Sequence, residues 1–135
     1  MAQAYAARKR TILCIDDDHA ILAYERSLLE RSGYHVLTTS SPRQGLKLAT
    51  ICQIDAVVLD YHMPEMSGHD VAVSIKKCQP TTLIVMFSAS DIPEETCKIA
   101  DAVVFKTDAI ERLLPTVAQV CDRASLFSVV VPSCN

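Results

Sequence analysis

Ala56-Val57-Val58-Leu59-Asp60-Tyr61-His62-Met63-Pro64 is an unbroken apolar run that ends in one carboxylate, with a proline soon after and Ser67-Gly68 just beyond. β-Favouring residues bounded by turn residues mark a fully buried strand of a parallel sheet. Asp60 then stands at the carboxyl end of that strand, where open α/β sheets place their ligands. Taken alone, an aspartate there more often just opens a turn. The ends of the other strands decide between the two readings.

Upstream, Thr11-Ile12-Leu13-Cys14-Ile15 is a second buried run, and Asp16-Asp17-Asp18 follows it directly. A helix is expected from about His19 to Ser32, its mostly apolar stripe made by Ile21, Leu22, Glu25, Leu28 and Leu29. Gly33 closes it in the left-handed conformation. His35 to Thr39 is a short strand, and Ser41-Pro42-Arg43-Gln44 is a capping box with proline at the first helical position, opening a helix to about Ile51.

Downstream of the central strand, a helix spans roughly His69 to Lys77 and stops before Pro80. Thr82 to Phe87 is the fourth strand, ending at Ser88-Ala89. Asp91-Ile92-Pro93-Glu94 has the form of a capping box for a short helix ending near Ala100, followed by a fifth strand, Ala102 to Phe105, with Lys106 at its end. Asp108-Ala109-Ile110-Glu111 caps a last helix to about Arg123, in which Pro115 removes one backbone donor and predicts a kink or a late start. Residues 1–9 read as a mobile lead-in, 10–124 as one domain, and 125–135 as an apolar tail.

Five strands alternating with five helices predict an α/β fold: a doubly wound, five-stranded parallel sheet of order 2-1-3-4-5, flavodoxin-like, with a short fourth helix. In that order strands one and three are neighbours, so Asp16, Asp17 and Asp60 converge, and Ser88 and Lys106 come to the same rim.

At 135 residues and a net charge of −3, the chain is long enough for a proper core and carries no general attraction for nucleic acid or anionic membrane. The one basic cluster, Arg8-Lys9-Arg10, reads as a solvated lead-in. No apolar run approaches the ~20 residues of a membrane span, and the first residues lack a signal-peptide core. Six cysteines without a C-x-x-C pair behave as small hydrophobes in a reducing compartment, with Cys134 the most exposed. A cytoplasmic protein is expected, with no membrane insertion and no direct nucleic-acid binding.

Several carboxylates crowded at one rim repel each other unless a cation intervenes. A hard, oxygen-loving ion such as Mg²⁺ suits them, and it needs only two of these groups. One oxygen of Asp60 is then free to attack phosphorus, as aspartates do in forming acyl phosphates. The charge that spreads over the phosphoryl oxygens can be met by Mg²⁺, by the Lys106 ammonium and by the Ser88 hydroxyl with a backbone N–H after Asp60. Ala89 is too small to block entry. Each of these residues alone is ordinary: an acidic pair caps helices, a lone lysine is solvated, and a lone serine sits in a turn. Each at the end of a different parallel strand, they form a set.

These residues together resemble the receiver domain of two-component response regulators, over about Arg10 to Arg123. The match rests on Ile12-Leu13-Cys14-Ile15-Asp16-Asp17-Asp18, on Val57 to Pro64 with Gly68, on Ser88-Ala89 and on Lys106. The resemblance implies that Asp60 is the phosphoacceptor, charged by a histidine kinase or a histidine phosphotransfer protein. It implies that Asp16, Asp17, Asp60 and the His62 main-chain carbonyl hold Mg²⁺, that Lys106 contacts the phosphoryl group, and that Ser88 is the switch hydroxyl. Output through protein contacts, or onward relay of phosphate, is expected of these 135 residues, as a monomer or weak homodimer.

The chain departs from the family pattern at two positions. The aromatic residue usual three places before the lysine is Val103, and the proline usual after it is Thr107, whose peptide bond is expected to be trans. Two rival readings remain: a phosphorylation-independent binding module, and a phosphatase with Asp60 as nucleophile. The second lacks a carboxylate two residues beyond Asp60, where His62 stands.

Overall fold

The strands form because runs of β-branched and apolar residues can be buried on both faces only inside a parallel sheet. In the computed structural model, which describes residues 8–130 and side chains as far as Arg123, those runs are β1 (Thr11–Ile15), β2 (His35–Thr39), β3 (Ala56–Asp60), β4 (Leu83–Ser88) and β5 (Ala102–Phe105). All are parallel, in the order β2-β1-β3-β4-β5. The helices are α1 (His19–Arg31), α2 (Pro42–Ile51), α3 (Gly68–Cys78), α4 (Glu94–Ile99) and α5 (Ala109–Val130).

Two cores lie on opposite faces of the sheet. Ile12, Cys14, Val58, Val85 and Phe87 pack against α1 and α5, and Leu13, Ile15, Val57, Leu59 and Met86 pack against the α2–α3 side. Alternation along each strand sends neighbouring side chains to opposite cores. β3 is buried throughout, as its apolar run predicts.

Side-chain caps open three of the five helices. Asp18 accepts from the amides of Ala20 and Ile21, Ser41 from Gln44 N, and Ser67 from Asp70 N. Gly33 ends α1 at φ 98°, a conformation that costs glycine nothing. At Ser41 only one arm of the expected box is made, because Ser41 N donates to Thr39 Oγ1.

The structure corrects the sequence reading at several places. Asp91 does not cap α4. Pro93, at φ −59°, holds the cap position and brings no side-chain acceptor, so the helix starts at Glu94, two residues later than a cap at Asp91 implies. Asp108 is not a cap either, for it belongs to a 3-10 turn, Lys106–Asp108, that leads into α5. Pro115 neither delays nor divides α5, which is assigned as one helix through to Val130, past the end expected near Arg123. Arg8 is not merely solvated, since its guanidinium makes a bidentate contact with Asp55 at 2.8 and 3.1 Å. The lead-in lies largely outside the described residues, as do Cys134 and the last part of the tail. Cys14 and Cys121 are buried, while Cys78 and Cys97 are exposed.

Candidate functional site

β1 and β3 are adjacent in register, Ile15 beside Leu59, so the residues that follow them meet at one end of the sheet. A ligand oxygen from each of Asp16, Asp17 and Asp60 lies within 4.8 Å of the others. Asp16 and Asp60 are 1% and 4% exposed, whereas Asp17 is open to solvent. Asp16 Oδ1 accepts from Asp18 N at 2.9 Å, which fixes its carboxylate.

Lys106 enters from the end of β5. Its Nζ is 2.8 Å from Asp16 Oδ2 and 3.3 Å from Asp60 Oδ1, and 5.7 Å from the centre of the Phe87 ring. Phe87 is the register partner of Asp60, so the ammonium is held between a ring face and two carboxylates. These contacts raise the Lys106 pKa against the opposing effect of burial, which is the largest single influence. Burial, then the charge of Asp16, pushes Asp60 up to about 7 despite Lys106. The pocket therefore carries more negative charge than one ammonium can balance.

Ser88, the last residue of β4, is fully buried. Its hydroxyl donates to Ser90 O at 2.7 Å and accepts from Ser90 N at 3.3 Å, so it is engaged with its own loop. Ala89 is exposed beside it and leaves the mouth open. His62 stands in the loop after β3 with its ring Nε2 3.2 Å from Ser90 Oγ. The loop returns tightly: Gly68 N donates to Tyr61 O at 2.7 Å, and a Cβ on Gly68 would lie 2.5 Å from Asp60 O. No peptide bond among the described residues is cis, the Lys106–Thr107 bond included.

The donor set suits a hard divalent cation: oxygen ligands only, two of them buried, with unbalanced charge. Bound there, Mg²⁺ would neutralise the carboxylates and draw charge from a phosphoryl oxygen.

Two features of this end of the sheet were not singled out from sequence. Glu25 on α1 is 1% exposed, its Oε1 has no hydrogen-bond partner among the described residues, and burial then Asp16 raise its pKa well above 4.5. A glutamate inside an apolar stripe was the available signal. The side chains of His69 and Thr96 meet at 2.9 Å across α3 and α4, and nothing in their sequence spacing announces that contact.

Fold and site together are those of a receiver domain, and the comparisons agree. The model of the response regulator receiver domain matches residues 12–117, and the chain belongs to that family, a domain of two-component systems. The alkaline phosphatase synthesis transcriptional regulatory protein PhoP of Bacillus subtilis is 34% identical over 82 residues, covering 61% of this chain and 34% of that protein. The chain thus spans about a third of the length of the curated relatives it matches. The response regulator protein TrrA of Thermotoga maritima, solved in complex with Mg²⁺-BeF, aligns with a TM-score of 0.77 and 28% identity over 82% of this chain and 97% of that one. A chain of the complex between histidine kinase ThkA and response regulator protein TrrA aligns with a TM-score of 0.75, with the same identity and coverage. No helix among the described residues is long and apolar enough to cross a membrane.

Proposed function

We propose that this chain is a phosphoacceptor module, which takes a phosphoryl group from a phosphohistidine onto Asp60 and signals through protein contacts. The observation that carries this reading is the meeting of Asp16, Asp17 and Asp60 within 4.8 Å, with Lys106 in contact with two of them. The kinase complex of TrrA supports a histidine kinase as donor; a histidine phosphotransfer protein presents the same chemistry.

Asp16, Asp17 and Asp60, with the His62 carbonyl, would hold Mg²⁺, Asp17 and Asp60 contributing most and Asp16 acting more through water. An Asp60 carboxylate oxygen attacks phosphorus, an O–P bond forms, and the P–N bond to the donor imidazole breaks with its electron pair returning to the ring. Lys106 Nζ, already beside Asp60, moves onto a phosphoryl oxygen and meets the charge that grows there. Ser88 Oγ leaves Ser90 O and donates to a second oxygen. Ala89 leaves room for the incoming group.

The test is incubation with a small-molecule phosphodonor and Mg²⁺, followed by intact mass. One phosphoryl adduct is expected, and it should be absent from Asp60→Asn. No adduct on the folded wild-type chain would leave the binding-module reading in its place, and rapid steady-state phosphate release would favour a phosphatase.

A further inference from the structure

The buried residues of α1 are Leu22, Glu25 and Leu29. They lie three and four positions apart, so they share one face of the helix. Both leucines belong to the core between the sheet and α5, and Glu25 stands between them at 1% exposure. Its Oε1 has no hydrogen-bond partner among the described residues. The other buried carboxyl oxygen in that condition is Asp16 Oδ2, which meets Lys106 as an ion pair at 2.8 Å. Leucine at position 25 would complete the stripe, whereas a carboxyl there is costly to bury without a partner.

Glu25 and the acidic rim belong to one side of the sheet. Alternation sends Cys14 of β1 and Val58 of β3 into the α1–α5 core, and it sets Asp16 and Asp60, each two residues on, at the rim of that same face. Glu25 therefore comes to the rim from beneath, off α1. The groups that act on it are Asp16 after β1, Asp60 of β3 and Lys106 after β5, and on β1 the Cys14 thiol feels its charge. Arg26, next to it on α1, is drawn away to Val36 O and Thr38 Oγ1 of β2. On α5 the buried Cys121 faces Arg10 and Asp55, at the amino ends of β1 and β3. Burial first, then the charge of Asp16, raises the pKa of Glu25 well above 4.5.

We propose that Glu25 is a fourth carboxyl of the cation site, acting through its charge and not as a ligand: it keeps its proton in the cation-free protein and releases it to solvent when a divalent cation settles on Asp16, Asp17 and Asp60. The carboxyl O–H bond breaks, its electron pair stays on the oxygen, and the ion takes over the charge that the proton had balanced. A bound divalent ion is the largest local charge and reverses the effect of the surrounding carboxylates on a neighbouring acid. Glu25 thus ties cation affinity to pH: the ion displaces its proton, so affinity rises as pH rises and the proton becomes easier to remove. The inference rests on the reading of the three aspartates as a cation site.

Titration calorimetry of the full chain with MgCl₂ tests it, without phosphodonor, from about pH 6 to about pH 9. Pairs of buffers with different ionisation heats give the protons released per ion along with the affinity. Glu25→Gln keeps the shape of the side chain and cannot ionise; Glu25→Leu, the stabler replacement in this stripe, serves as a second variant in case the amide folds poorly. Asp60 contributes protons in all three chains, so the excess in wild type is that of Glu25. Wild type is expected to release up to about one proton more per ion than either variant, and its affinity to climb more steeply, by up to about tenfold per pH unit. The affinities should converge at the acid end, where Glu25 is neutral. Equal proton release and equal slopes in the three chains would overturn the proposal. So would a constant loss of affinity in both variants at every pH, which would make Glu25 a space-filling residue only. If Mg²⁺ binds none of the chains, the cation reading of the aspartates falls and this inference falls with it.

Discussion

At the scale of single residues, the molecule stores unfavourable charge beneath and within the site. Folding raises the pKa of Glu25 above 4.5 and that of Asp60 from 3.8 to about 7, chiefly by burial and then by Asp16. The folded chain thus keeps protons that the unfolded chain has released. The contribution of each group is complete below its unfolded value and is lost as pH rises towards its folded value. Asp60→Asn, which stays neutral, should therefore match wild type below pH 3.8 and become more stable than wild type as pH rises from there to about 7 in metal-free buffer, the gap levelling off above that. Mg²⁺ should narrow the gap, because it favours the ionised wild-type carboxylate. Denaturant midpoints across pH measure both, and a gap that does not depend on pH would refute this account. Glu25 has a simpler test. Its buried Oε1 lacks a partner, so Glu25→Leu, beside Leu22 and Leu29, should stabilise the protein by about 1–3 kcal/mol at neutral pH. A loss of stability would show that the carboxyl is held by a contact that its burial conceals.

At the scale of elements, the join between β3 and α3 sets the position of Asp60. The Gly68 position faces backbone on two sides, Asp60 O at 2.5 Å and Tyr61 Cα at 2.8 Å from where a Cβ would be. Backbone atoms cannot rotate away as a side chain does. Gly68→Ala should therefore force α3 away from the strand end, at a cost of about 1–3 kcal/mol, and slow adduct formation at Asp60 along with it. Stability and adduct rate both equal to wild type would mean that the join is slack. The capping pattern shows where sequence reading was reliable at this scale. Ser41 was legible because its acceptor serves an amide three residues away, a local event. Asp91 was misread because the same spelling occurs before Pro93, which holds the cap position instead, in a loop that also contacts His62, outside any local window.

At the scale of the whole molecule, cation binding to the folded chain is expected to appear as stability. The three carboxylates meet only when β1 and β3 are paired, so the unfolded chain has no comparable site. Mg²⁺ at 100 times its Kd should then raise stability by about 2.7 kcal/mol, and Asp17→Asn should lose most of that gain at the same Mg²⁺ concentration. Thermal or denaturant unfolding with and without Mg²⁺ checks it. A full gain in Asp17→Asn would remove that residue from the ligand set. The same global view explains the position of Lys106, which comes from the edge strand β5 and crosses over Phe87 of β4 to reach Asp60 of β3.

What the amino-acid sequence determined by itself was the strand set, the strand order and the residues at the strand ends. Apolar runs of five or so residues can be buried only as parallel strands, and the alternation with helices leaves few ways to wind them. β1, β2, β3 and β5 accordingly fall at the residues expected, and Asp16, Asp17, Asp60, Ser88 and Lys106 gather at one end. What only the tertiary structure decided depends on pairs far apart in the chain. The burial of Glu25 and the two histidine contacts to the α4 segment are of that kind. Periodicity reports which face of an element is apolar, because that preference is a sum over neighbours in sequence. It carries no record of which polar atom on that face will find a partner, since the partner arrives only when another element packs against it.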